Sequence, residues 1–111
     1  MMKKLTIGLI LLGTLAVLTS RSIIAAEVKL KKIAVKEVIK HNSEKSCWMV
    51  IDKKVYDITS YITKHPTPPQ ILIKYCGKDG SKGYKTKGLG RPHSKEANKM
   101  LEKYLIGELD V

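Results

Sequence analysis

Residues 47–66 have the sequence CWMVIDKKVYDITSYITKHP, and this stretch decides the fold. Its first five residues, Cys47 to Ile51, are all apolar, and their length and side-chain branching predict a strand. The polar residues 52–54 predict a turn. In the next four residues, 55–58, apolar and polar side chains alternate, so that the whole segment predicts a β-hairpin.

Short helices and short strands are predicted on both sides of the hairpin. Upstream, Ile33 and Val35 alternate as in an edge strand, and residues 36–41 fit one or two helical turns. Downstream, we expect helices at 61–64, capped by Thr59 or Ser60, at 70–75, at most briefly within 78–84, and from the cap Ser94 onward. In that last helix Ala97, Met100, Leu101, Tyr104 and Leu105 fall on one apolar face. Residues 85–92 form a basic, glycine-rich loop, and residues 106–109 return to the sheet. Short strands followed by several short helices indicate the α+β class.

The chain has 111 residues and a formal net charge of +11, which predicts one small domain. Residues 1–26 have the features of a secretory signal. Lys3 and Lys4 precede an uncharged apolar run, and small residues precede Glu27. The run is too short for an ordinary membrane span, so we expect export to the periplasm with cleavage after residue 26. An uncleaved N-terminal anchor is the alternative. The domain then covers residues 27–111.

Residues 1–26 contain three basic residues and no acid, so a net charge of +8 remains on the mature chain. For a basic protein that is exported we expect no nucleic-acid partner, and its natural partners are acidic proteins, anionic ligands or anionic membrane surfaces. A solvated surface that keeps a small domain soluble explains the charge equally well.

The chain has three histidines. His41 has polar neighbours and is predicted to lie at the surface. His65 and His93 both lie at helix–loop junctions next to a proline, and each taken alone would be an ordinary loop histidine.

Taken together, these segments resemble the haem-binding domain of the cytochrome b5 family. The resemblance rests on 48–51, 55–59, 61–62 and His65-Pro66, on 38–42 upstream, and on 76–79, Tyr84, His93-Ser94 and 104–109 downstream. It covers residues 31–110 and implies an α+β fold. In that fold a small mixed sheet carries two pairs of short helices, which form a pocket for one haem.

The resemblance also implies a site. His65 and His93 would be the axial ligands of the haem iron, and Ser94 would meet a haem propionate. The pocket would be lined by Tyr61, Ile71, Leu72, Tyr84 and Met100, with Val50 and Ile51 at its floor. Trp48 would belong to a second core behind the sheet. No C-x-x-C-H motif is present, so we expect one non-covalent haem b. Loop carbonyls at 66–69 and 89–92 would accept from the second nitrogen of each histidine.

If two histidines fill both axial positions of the iron, no position is left for a substrate. We therefore expect outer-sphere transfer of single electrons to or from a partner protein, and no enzymatic activity. The alternatives are a module that binds haem or a small hydrophobic ligand without redox turnover, and a structural module without metal. A zinc site formed by His65, His93 and a cysteine is a weaker alternative, because the spacing of these residues matches no common zinc pattern.

The sequence departs from the family in two places. The family usually has two glycines after His-Pro, where this chain has Thr67 and Pro68, so the ligand loop must follow another path. Familiar members carry acids around the haem edge, where this chain has a basic rim. We define the basic rim as Lys64, Lys74, Lys78, Lys82, Lys85, Lys87, Arg91 and Lys95. The basic rim predicts a redox partner with an acidic docking surface. We expect the chain itself to be a monomer.

In the family fold the end of the helix that contains Cys76 lies near the strand that Cys47 begins. The two cysteines are an even count in an exported chain, so we expect them to form a disulfide. Two buried free thiols are the alternative.

Overall fold

The structure, a computed structural model, describes residues 29–87 and 90–111 and the single positions 3, 8 and 13. Apart from these three positions, the predicted signal at residues 1–26 lies outside the described residues. Ten short elements follow one another along the described chain. In order they are β1 Lys32–Ile33, α1 Val35–Lys40, β2 Asn42–Ser43, β3 Ser46–Ile51, β4 Lys54–Asp57, α2 Gln70–Ile73, β5 Lys78–Asp79, α3 Ser81–Thr86, α4 Lys95–Glu102 and β6 Leu105–Leu109.

The predicted hairpin is β3 and β4, and the sheet is built around it. Asp52 and Lys53 both have positive φ, 49° and 64°, which closes the turn between the strands. The strand order is β1-β6-β4-β3-β2, and β5 also pairs with β3. The β1–β6 and β3–β5 pairs are parallel and the others antiparallel. The sheet is therefore mixed, and the α+β prediction is confirmed.

Alternate residues of β3 face two separate cores, because successive side chains of a strand point to opposite sides. Cys47, Met49 and Ile51 belong to the larger core, which the helices α2, α3 and α4 approach. Val50 belongs to the smaller core, against which Trp48 packs. The predicted position of Trp48 behind the sheet is thus confirmed.

Four local predictions need correction. Residues 61–64 form hydrogen-bonded turns and no regular helix, because Pro66 disfavours helical geometry at the preceding residue. Val35 begins α1 and is not in a strand. The helix expected at 70–75 ends at residue 73. Residues 78–79 form β5 before α3 begins, and α3 extends into the segment expected to be a loop.

Gly77 joins α2 to β5 at a point where no side chain fits. Its φ of +74° is in the left-handed region, and an added Cβ would lie 2.8 Å from the Cβ of Asn42. Glycine is therefore required here both by conformation and by close approach. Within the described part of the chain, no helix has the length and apolar character needed to cross a membrane.

Candidate functional site

A cavity of about 450 Å³ opens on the larger core, with the sheet as its floor. Its size is in the usual range for sites that bind cofactors and other small molecules. Its apolar and aromatic lining comes from β3, the turns after β4, α2, α3, α4 and the segment before β6. The lining includes Met49, Ile51, Ile58, Tyr61, Ile71, Leu72, Tyr75, Tyr84, Ala97, Met100, Leu101 and Tyr104.

His65 lies in one wall of this cavity. Its backbone N–H donates to the carbonyl of Tyr61 at 3.0 Å, so the hydrogen-bonded turns after β4 fix its position. The Tyr61 ring meets the His65 ring edge-on, with centroids 5.7 Å apart. Nδ1 of His65 contacts the hydroxyl of Thr67. Burial, and then the charge of His93, lower the pKa of His65. The two histidines therefore lie close enough for their charges to interact, and the lowered pKa favours the neutral form of His65 at neutral pH.

His93, which precedes the cap of α4, also lines the cavity, and Tyr84 holds its ring. Its ring stacks on the ring of Tyr84, with centroids 4.1 Å apart and planes within 4°. Its Nδ1 contacts the backbone carbonyl of Tyr84. A carbonyl only accepts, so Nδ1 carries the proton and Nε2 has the free lone pair. Burial raises the pKa of Tyr84, whose hydroxyl stays protonated and donates to Asn98 at 2.6 Å.

Ser94 follows His93 at the edge of the cavity and caps α4. Its Oγ accepts from the backbone N–H of Ala97 at 3.2 Å, which is an ordinary helix cap. The hydroxyl proton remains able to donate to an acidic group at the cavity mouth. Lys74 and Lys87 also line the cavity and supply positive charge there.

Most residues named by the resemblance come together in this cavity. They are His65, His93, Ile51, Tyr61, Ile71, Leu72, Tyr84, Ser94 and Met100. Val50 does not, and its predicted place at the floor is wrong. Val50 packs with Ile33, Val38 and Val55 on the other side of the sheet, because neighbours in a strand cannot face the same side.

Sequence reasoning missed several lining residues. Met49 could have been found from Ile51, since residues two apart in a strand share a face. Tyr104 lies on the same predicted helical face as Met100. Tyr75 and Thr67 gave no such signal, because their positions depend on the path of a proline-rich loop.

The acceptors expected for the second histidine nitrogens also need correction. The partner of His93 is the carbonyl of Tyr84 in α3, not one from 89–92. The partner of His65 is a side-chain hydroxyl, not a loop carbonyl.

His41 lies away from the cavity, and its predicted surface position needs correction. Its side chain is 24% exposed. The ring stacks on Trp48 at 3.6 Å, and Nδ1 is 2.6 Å from the hydroxyl of Ser46. These contacts explain His41 as a structural residue behind the sheet.

Cys47 and Cys76 are bonded to each other, with Cα atoms 4.7 Å apart and an S–S distance of 2.02 Å. Both residues are buried in the larger core. The bond ties the start of β3 to the segment after α2, and so links the sheet to the wall that contains His65. Among residues 29–87 and 90–111, no group of three or more His, Cys, Asp or Glu side chains could hold a metal ion.

Comparison with known proteins gives the same family by independent means. Residues 34–110 match the family described as cytochrome b5-like haem/steroid binding domain. The chain is 39% identical over 84 residues to soluble cytochrome b558 of Ectothiorhodospira shaposhnikovii, covering 76% of this chain and 92% of that protein. It is 40% identical over 80 residues to cytochrome b5 isoform E of Arabidopsis thaliana, covering 72% of this chain and 57% of that protein.

A solved structure of similar sequence is cytochrome b558 of Ectothiorhodospira vacuolata, described as a prokaryotic homologue of cytochrome b5. It is 40% identical, with a TM-score of 0.70, over 73% of this chain and 100% of that one. The chain belongs to the cytochrome b5-like family. The cofactor of that family is a non-covalent b-type haem, and its cytochrome b5 members are electron carriers.

Proposed function

We propose that this chain is an exported b-type cytochrome that carries single electrons, with His65 and His93 as the two axial ligands of one haem. The observation that carries the proposal is the arrangement of the two imidazoles. They line one apolar cavity from two separate segments of the chain, and each has Nδ1 engaged by a neighbour. Nε2 is then the nitrogen left for a metal on both sides.

The lining fits a flat, largely apolar cofactor. Ile71 and Met100 are each 43% exposed although they are large and apolar, and they stand in the walls formed by α2 and α4. A haem between these walls would cover both side chains and remove apolar surface from water. Its acidic propionates would meet Ser94, Lys74 and Lys87 at the mouth.

When bound, haem supplies the one-electron couple of its iron. His65 and His93 would hold the iron, and Tyr61 and Tyr84 keep the two imidazole rings in place. The apolar lining would keep water from the iron. If both histidines bound the iron, no axial position would remain for a substrate, which supports an electron carrier over an enzyme.

We also propose a place and a partner. Export to the periplasm rests on the signal-like residues 1–26, which would leave a mature domain of residues 27–111. Every member of the basic rim is exposed, and the positive charge of the rim supports a redox partner with an acidic docking surface. Within the rim, Lys85 also forms an ion pair with Asp52 at 2.6 Å. Weak association of the monomer with an anionic membrane surface rests on the same charge.

The proposal is tested on full-length chain expressed in a bacterium and recovered from the periplasm. We expect a low-spin haem spectrum, a reversible one-electron titration and no change on adding carbon monoxide to the reduced protein. A colourless, folded protein would contradict the proposal and favour a structural module. A haem protein that binds carbon monoxide, or a stable complex with a steroid in place of haem, would favour the ligand-binding alternative.

The acidic partner is tested by the salt dependence of the electron-transfer rate. The Debye length is about 10 Å at 0.1 M salt and becomes shorter as more salt is added. The rate of electron transfer with an acidic partner should therefore fall as ionic strength rises. Lys74→Gln and Lys87→Gln should lower the rate at low salt, while Lys45→Gln, an exposed lysine outside the basic rim, serves as the control. A rate that is flat or rises with salt would contradict the proposed docking.

A further inference from the structure

The two histidines of the cavity have different partners at Nδ1. His93 faces a backbone carbonyl, that of Tyr84. His65 faces the hydroxyl oxygen of Thr67. A carbonyl has one possible role in a hydrogen bond, whereas a hydroxyl can donate or accept. The partner of His93 therefore fixes its tautomer, whereas the tautomer of His65 depends on how the Thr67 hydroxyl is oriented.

Thr67 offers His65 two opposite hydrogen bonds. The backbone N–H of Thr67 lies 3.4 Å from the same Nδ1 and would donate to it, which requires the proton on Nε2 and blocks metal binding. If the hydroxyl accepts instead, Nδ1 carries the proton and Nε2 is free. The N–H contact is at the long limit for a hydrogen bond, so the hydroxyl is the better partner.

The loop holds the Thr67 side chain in this position. Pro66 precedes it and Pro68 follows it, so that φ is fixed on both sides and Thr67 itself is confined to extended geometry. Pro69 then leads directly into α2. The prolines carry no N–H, so at residues 66–69 the long contact from the Thr67 N–H is the only backbone donor that competes for Nδ1.

We propose that Thr67 is a positioning residue for the iron ligand His65: its hydroxyl accepts from Nδ1–H, selects the tautomer with Nε2 free, and makes the imidazole a stronger donor. This inference rests on the proposed ligation by His65. A more basic imidazole stabilises ferric iron more than ferrous iron, so the hydroxyl lowers the reduction potential.

The test compares Thr67→Val, which keeps the shape and removes the hydroxyl, with Thr67→Ser, which keeps the hydroxyl. Ser60→Ala is the control, since Ser60 is an exposed hydroxyl residue in the preceding turns. Loss of such a partner usually costs 10–100-fold in affinity, and we expect Thr67→Val to lose about that much haem affinity. If ferric haem loses about tenfold more than ferrous haem, the potential rises by about 59 mV. Thr67→Ser and Ser60→Ala should match the wild type.

A second measurement reads the tautomer without haem. Nitrogen NMR of the haem-free full chain should show His65 protonated at Nδ1 in the wild type and in Thr67→Ser, and shifted toward the Nε2–H tautomer in Thr67→Val. An unchanged tautomer together with an unchanged potential in Thr67→Val would overturn the inference. If wild-type His65 shows the Nδ1–H tautomer but replacing His65 leaves the haem spectrum intact, the proposed ligation fails and the role of Thr67 in selecting the tautomer stands.

Discussion

Removing the Cys47–Cys76 bond should destabilise the haem-free chain by about 3.6 kcal/mol. The two cysteines are 29 residues apart in sequence, and the chain-entropy model gives that value for a closed loop of this length. A small domain has a total free energy of unfolding of about 5–15 kcal/mol, so the bond would supply a large share. The closed loop contains His65 and the whole wall around it.

Urea unfolding of haem-free full chain measures this difference. Three samples are compared: oxidised wild type, wild type with the bond reduced, and the double variant Cys47→Ala/Cys76→Ala. Reduced wild type keeps both sulfur atoms in the core, so it isolates the effect of the loop. The double variant also loses packing and should be less stable still. Haem is left out because a ligand that binds the folded state adds to its stability.

Two results would refute this reasoning. A loss of less than about 1 kcal/mol on reduction would show that the closed loop is not what the bond contributes. Two alkylatable thiols in folded, unreduced mature protein, detected by mass spectrometry, would show that the bond does not form.

Three further predictions concern single residues. Gly77→Ala should destabilise the chain by about 2 kcal/mol and Gly90→Ala by about 1 kcal/mol. Both glycines have positive φ, +74° and +72°, but of the two only Gly77 has atoms within 4 Å of an added Cβ. Urea unfolding of both variants measures the two losses, and equal losses would contradict the prediction. Burial lowers the pKa of His65 below 6.5, so the unfolded chain binds a proton before the folded haem-free chain does. The free energy of unfolding should therefore fall as pH drops below about 6.5 and level off below the lowered pKa, and His65→Ala should remove that part of the slope. Val50→Ala and Ile51→Ala should each destabilise by about 2 kcal/mol or more, but only Ile51→Ala should change the haem spectrum; a change in both would restore Val50 to the floor.

The hairpin was predictable because its second strand alternates and its first is a short apolar run. The face of each residue in the first strand was not, since all five residues from Cys47 to Ile51 are apolar and no period is visible. Only the packing of two cores decides that Val50 and Ile51 face opposite ways. β5 was missed because both of its residues are exposed and polar, and its pairing depends on β3.

The candidate site, like the fold, has features that the sequence predicts and features that depend on packing in space. The resemblance to the family predicted His65 and His93 as a pair, because they stand at recognisable places in a long pattern, and both line the cavity. Their hydrogen-bond partners were not found, because these depend on where a loop runs in space. Thr67 reaches His65 only through the turn set by its flanking prolines, and Tyr84 reaches His93 only through the docking of α3.

The most direct test of the account is the absorption spectrum of haem-loaded chain with each histidine replaced in turn. We predict that His65→Ala and His93→Ala each lose the low-spin spectrum. His41→Ala should keep it, because His41 stacks on Trp48 behind the sheet. An unchanged low-spin spectrum in either His65→Ala or His93→Ala would contradict the proposed ligation.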